Sequence, residues 1–150
     1  MLRHNLRSRR RGASLVEFAI VCPITLLLLF TIIVGGLGVY RYQQVAALAR
    51  EGARWASVHG TQYAKDKELP AATSADIAGN IEASSIALKP ELLTCTVSWN
   101  SSNQPLTTST NYEDPFGNTV TVTVTYQWFP EVFLAGPITL TSSSTAQMLY

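Results

Sequence analysis

No acidic or basic residue occurs between Phe18 and Tyr40. As a helix, this run of about 23 residues is roughly 35 Å long, enough to cross a hydrocarbon core of about 30 Å. A chain carrying such a run must either bury it in a large core or place it in a bilayer. With 150 residues in all, the rest of the chain provides one modest domain. Charged residues make up only 14% of the sequence, against about 25% in ordinary soluble domains, and the deficit is concentrated in this run. The expectation is a membrane-spanning helix followed by a small domain.

Charge is distributed unevenly about that run. Arg3, Arg7, Arg9, Arg10 and Arg11 precede it with no acid among them. After Gly12 there are six basic residues and ten acids, a net of −4. Short basic flanks stay on the cytoplasmic side of a membrane. This predicts a cytoplasmic N-terminus and an extracytoplasmic domain after Tyr40. A basic arm can also bind nucleic acid, but direct abutment on an apolar span argues for membrane topology and against a nucleic-acid partner.

The chemistry-bearing residues form no catalytic pattern. Cys22 lies in the span and Cys95 in the distal part, too far apart to be expected to bond. Cys95 reads as a small buried residue, with a free thiol or an intermolecular partner as alternatives. His4 and His59 have no ligand at metal-binding spacing. There is no Gly-rich phosphate loop and no carboxylate pair with the logic of a site. The expectation is a non-enzyme with no catalytic residue, metal, cofactor or small-molecule substrate. Asn100-Ser101-Ser102 matches a glycosylation sequon, as a Ser/Thr-rich loop does by chance.

The boundary between arginines and span reads "RRRGASLVEF". A secretory signal has an apolar core of about 7–15 residues followed by a small-residue cleavage site. This core is longer, although Gly35, Gly36 and Gly38 offer such a site late in the run and keep a secreted product open. The small residues at the basic boundary suggest a different cut, between Gly12 and Ala13. That cut removes the arginines and leaves the apolar helix on the mature chain, with Glu17 one helical turn from the new terminus.

Gly12, a small residue after it, and Glu17 heading an apolar helix resemble the class III signal of type IV pilins. The stretch "ASLVEFAIVCPITLLLLFTIIVGGLGVYRYQQVAALAREGARWASV" is similar to the TadE-like family of the tight-adherence (Flp) pilus system. The elements that carry the resemblance are Val16-Glu17-Phe18-Ala19, Pro23, the aliphatic run with Phe30, then Gly36, Tyr40 and "AREGAR" at 49–54. The endings "VTVTVTYQWFP" and "ITLTSSSTAQM" also resemble the family. Many relatives carry an acid late in the apolar run and a basic residue just after the glycine; here those positions hold Val34 and Leu37. Pilins proper begin the mature chain with an aromatic residue, where this chain has Ala13.

The resemblance implies a pseudopilin-like minor component or assembly factor, cut by a prepilin peptidase and held in the bacterial inner membrane. Its implied partners are that peptidase, other pilus subunits and pseudopilins. Glu17 would pair with the amine of Ala13, its own or a neighbour's, and the pairing between subunits would set axial register. The residues alone allow a plainer role, a carboxylate complementing the helix dipole. An uncleaved membrane-anchored binding domain that never enters a filament is the alternative function. Pro23 removes one helix hydrogen bond and favours a kink, although membrane helices tolerate proline for structural reasons alone.

Beyond the span the helix is expected to continue through "RYQQVAALAREGARWASVHG". Val45, Leu48, Gly52 and Trp55 form its buried stripe, Arg50 and Arg54 its polar face, and Gly60 its stop. "TQYAKDKELPAAT" reads as a loop. A short helix follows from Ala75 to Ala87, started by Thr73 and Asp76, with Ile77, Ile81 and Leu88 on its apolar side and Pro90 as its bound. Alternation then marks strands through Cys95, Val97 and Trp99, through Val120 to Trp128, and from Ile138 through Met148. A polar loop, "NSSNQPLTTSTNYEDPFGN", separates the first two. The expected fold is α+β: basic leader 1–12, transmembrane helix 13–40, and an extracytoplasmic domain 41–150 with a short helix and an antiparallel sheet of about three strands. The apolar face of that sheet should pack on the helix carrying Leu48 and Trp55.

Overall fold

The structure, a computed structural model, describes residues 7–100, 118–130 and 136–149. The early arginine and histidine positions Arg3 and His4, the loop at 101–117 and the Ser101-Ser102 part of the sequon lie outside the described residues. The chain divides into two compact units, with the division between Leu37 and Gly38.

Helix α1 (Arg7–Val58) has 52 residues. Among the described residues it is the one helix long and apolar enough to cross a membrane. Only 6% of its most apolar stretch is buried, which separates it from the core helix of a soluble domain. Leu27, Leu28, Ile32 and Ile33 all face outward. The two threonine hydroxyls in this stretch are satisfied within the helix: Thr25 Oγ1 donates to the Val21 carbonyl at 2.9 Å and Thr31 Oγ1 to the Leu27 carbonyl at 2.8 Å. A bilayer core offers no water to do this. The helix runs through Pro23, whose nitrogen has no hydrogen to give the Ala19 carbonyl.

The second unit is α+β. It contains the C-terminal part of α1, helices α2 (Thr61–Lys67) and α3 (Ser74–Ser84), a 3-10 turn at Pro90–Leu92, and strands β1 (Leu93–Trp99), β2 (Thr119–Trp128) and β3 (Ile138–Gln147). The sheet order is β1-β2-β3. Both pairings are antiparallel, with Cys95 opposite Val124 and Val124 opposite Ser142. The alternation along β2 places Val120, Val122, Val124, Tyr126 and Trp128 in the core. Ile77 and Ile81 of α3 join them, with Val45, Leu48, Ala49, Ala53 and Ala56 of α1. Small residues let α1 come close. A Cβ on Gly38 would lie 2.7 Å from the Trp128 ring.

Two expectations need correcting. The segment expected as a loop after Gly60 contains α2, with Gly60 at its N-cap. Its apolar signal is confined to Tyr63 and Ala64, and Ala64 alone in it is buried. Glu68 then takes a left-handed conformation, φ 54°, and ends the helix. Helix α3 stops at Ser84, short of the expected Ala87. Ser85 Oγ donates to the Glu82 carbonyl at 2.7 Å, a local bond that competes with helix continuation. Ile86 is then turned outward, 96% exposed.

The start of α3 is the expected one, in a stronger form. Thr73 and Asp76 form a full capping box. The Thr73 N–H and hydroxyl both donate to the Asp76 carboxylate, at 2.8 Å and 2.7 Å. Chiefly the backbone bond, then the hydroxyl, holds that carboxyl below its usual range. Its pKa is lower folded than unfolded, so the cap stabilises above the ordinary carboxylate range and is lost as pH falls through the depressed value. At the other end of the unit, the Leu149 N–H donates to the Ser57 carbonyl at 2.9 Å and ties the end of the sheet to α1.

Candidate functional site

In the first unit, Ser14, Glu17, Phe18 and Val21 line a shallow depression of about 270 Å³. Their spacing places them on one helix face. Glu17 is exposed. Ala13 lies one turn before Glu17, so the helix brings those two positions together. The Gly12-Ala13 bond lies inside α1, and glycine there weakens the helix by about 1 kcal/mol relative to alanine. Pro23 follows Glu17 by six positions within the same helix.

The AREGAR hexapeptide divides cleanly by face. Ala49, Gly52 and Ala53 are buried, whereas Arg50, Glu51 and Arg54 are exposed. Gly52 is the point of closest approach. A Cβ there would lie 2.6 Å from Ile81 Cδ1 and 3.2 Å from Val122 Cγ1. This half of the motif therefore docks α1 on α3 and the sheet, which is the packing the small residues imply.

Trp55 departs from the expected stripe. It is half-buried and stacks on His59, with ring centroids 4.0 Å apart and planes 11° from parallel. Tyr63 tilts against His59 at 4.6 Å. With Leu69, Pro70, Ala72 and Asp76 these rings line a cleft of about 340 Å³. His59 Nδ1 lies 2.8 Å from the Trp55 carbonyl; a carbonyl only accepts, so Nδ1 carries the proton. The i, i+4, i+8 spacing of Trp55, His59 and Tyr63 was the available signal for this cluster. The break between α1 and α2 hides it from a search for one continuous helix.

Both cysteines are free and half-buried. Burial, and secondarily the charge of Glu82, pushes the Cys95 thiol up, so it remains a thiol at neutral pH. Among the described residues no group of His, Cys, Asp and Glu side chains is arranged to hold a metal.

Among the described residues, one helix is apolar and long enough to cross a membrane, and it runs on into a small antiparallel α+β unit, which fits a single-pass, membrane-anchored protein. The family model described as TadE-like protein matches residues 12–54. That segment is TadE-like, and it takes in Gly12, Ala13, Glu17, Pro23 and the whole AREGAR hexapeptide. Among curated proteins and among solved structures nothing matches the chain.

Proposed function

We propose that this protein is a pseudopilin-like minor component or assembly factor of a tight-adherence (Flp, type IVb) pilus. The observation that carries the reading is the TadE-like segment, which begins at Gly12 and contains the exposed Glu17 on an apolar helix. In this reading a prepilin peptidase cuts after Gly12, and α1 holds the mature chain in the inner membrane. The second unit stands outside the cytoplasm and meets other pilus subunits and pseudopilins. The protein catalyses no reaction and takes no cofactor. Pro23 provides a point where the helix bends during extraction from the bilayer.

The uncleaved membrane anchor is the competing reading. It draws support from the Gly12-Ala13 bond lying within α1, since a peptidase must unwind that turn to reach it. N-terminal sequencing of the chain from cells that hold the peptidase separates the two. The expected mature start is Ala13, and Gly12→Arg should leave the chain full length. Recovery of wild-type protein beginning at Met1 from those cells excludes the processed pseudopilin.

Orientation is tested independently. A reporter active only outside the cytoplasm, fused after Tyr150, should be active. Neutralising most of the five N-terminal arginines should mix the two orientations. An inactive wild-type fusion at normal protein level would mean that the arginines do not set the topology.

A further inference from the structure

Strand β3 is an edge of the sheet, because the order is β1-β2-β3. The two edges differ. Strand β1 has seven residues and α3 lies against it. Strand β3 has ten, and among the described residues only β2 pairs with it. In an antiparallel sheet, alternate residues of an edge strand turn their N–H and C=O groups away from the sheet. Such an edge invites another strand, and proteins usually blunt it with a charge, a proline, a bulge or a cover. Ile138–Gln147 reads "ITLTSSSTAQ", with no charge and no proline. Its register against β2 runs from Thr119↔Gln147 to Trp128↔Ile138 without a slip, so no bulge interrupts it.

The side chains indicate what fits that edge. On the exposed face of the sheet, hydroxyls already pair across strands. Thr121 and Thr145 lie 2.8 Å apart, and Thr125 and Thr141 3.2 Å. An antiparallel partner must match faces, so two copies of β3 meet in register about a single residue. Centred on Ser143, that pairing sets Thr141 opposite Thr145 of the second copy. The hydroxyl row then runs from Thr125 through Thr141 to Thr145 and Thr121 of that copy. On the inner face, Ser142 meets Ser144 and Leu140 meets Ala146. Every apposed pair is neutral, and each is polar with polar or apolar with apolar. The strand is complementary to its own reverse.

We infer that β3 is a homotypic docking edge, where a second copy of this chain adds its own β3 antiparallel and joins two three-stranded sheets into one of six. The inference does not depend on the pilus reading. It uses strand addition, in which main-chain hydrogen bonds supply attraction and side-chain matching supplies selectivity.

The test uses the full chain in membrane vesicles, with Cys22→Ser and Cys95→Ser removing the native thiols. Ser143→Cys sits on the two-fold axis, where facing Cα atoms about 4.5–5.5 Å apart are within disulfide range. Mild oxidation should give a homodimer at Ser143→Cys and none at Thr123→Cys on the central strand. Thr141→Cys copies mixed with Thr145→Cys copies should cross-link more than tenfold better than either alone, which fixes the register. Ser143→Lys apposes two ammonium groups on the exposed face. It should leave the thermal unfolding of the domain intact and cut cross-linking through the Thr141→Cys and Thr145→Cys pair at least tenfold. Equal cross-linking at Thr123→Cys, or no loss with Ser143→Lys, overturns the inference. A cross-link from Ser143→Cys to a different protein, or a chain that stays uncross-linked because its own residues cover the edge, overturns it too.

Discussion

Glu17→Gln should insert normally and fail to associate with the other pilus components. In the proposed pseudopilin reading, the reason is a charge that exists only after processing. In the uncleaved chain the Ala13 nitrogen belongs to a peptide bond within α1. Cleavage makes it an α-amine with a reference pKa of about 7.7–8.0, mostly protonated near neutral pH. At about 4 Å and an effective dielectric of 20, its attraction to a carboxylate is roughly 4 kcal/mol before desolvation is subtracted. Removing one partner in apolar surroundings strands the other charge, at about 3–5 kcal/mol. That weakens association by roughly two to three and a half powers of ten. If Glu17 only complements the helix dipole, the loss is about 1 kcal/mol at most, and assembly survives. Glu17→Ala should behave like Glu17→Gln, with insertion unchanged or improved because a charge has left the span. The measurement is co-purification with pilus components at matched levels of cleaved protein. Cleavage is followed in the same strains, because the peptidase can itself read Glu17. Normal association of both variants would reduce Glu17 to a helix-start residue and favour the plain anchor.

The legible parts of the sequence were those with a strong and unbroken physical signal. The charge-free run from Phe18 to Tyr40 announces α1, and the Val-Thr alternation announces β2, whose Val120, Val122 and Val124 are fully buried. Thr73 and Asp76 announce the start of α3. What escaped was short or set by tertiary contacts. Helix α2 buries little beyond Ala64, so no period stands out in its seven residues. The end of α3 depends on one Ser85 hydroxyl turned back to Glu82. Trp55 has the spacing of a core residue, yet it is drawn into the cleft by His59 and Tyr63, across a break that spacing alone does not reveal. At the candidate site, sequence placed Ala13 and Glu17 on one helical face, as the helix now does. The proposed charge pair requires a cut after Gly12, and its form between subunits a neighbour as well, neither of which a single uncleaved chain contains.

Gly52→Leu should unfold the second unit far more readily than any change at the charged positions of AREGAR. Two effects oppose each other at this site. Any residue other than proline favours the helix over glycine, by up to about 1 kcal/mol for alanine. Against that, the new Cβ meets Ile81 Cδ1 at 2.6 Å and Val122 Cγ1 at 3.2 Å. Both neighbours are fully buried, so the terminal Ile81 Cδ1 can turn aside only slightly and Val122 cannot give way. Gly52→Ala is then a near balance, because one methyl can be met by a small turn of the Ile81 side chain. Leucine adds three more carbons to the same gap. Overpacking of this kind costs about 1–3 kcal/mol or more, and lowers Tm by roughly 10 °C in a domain of this size. Gly79 lies in α3, and a Cβ added there would meet nothing within 4 Å. Gly79→Ala should therefore gain the helix preference without the clash and raise Tm by a few degrees. Arg50→Ala and Arg54→Ala, on the exposed face, should leave Tm unchanged. Thermal unfolding of the full chain in detergent, followed by the near-ultraviolet signal of its tryptophans, orders the five variants. A Gly52→Leu chain that melts with the wild type would show that α1 does not need this close approach, and the small half of AREGAR would then require a reason other than packing.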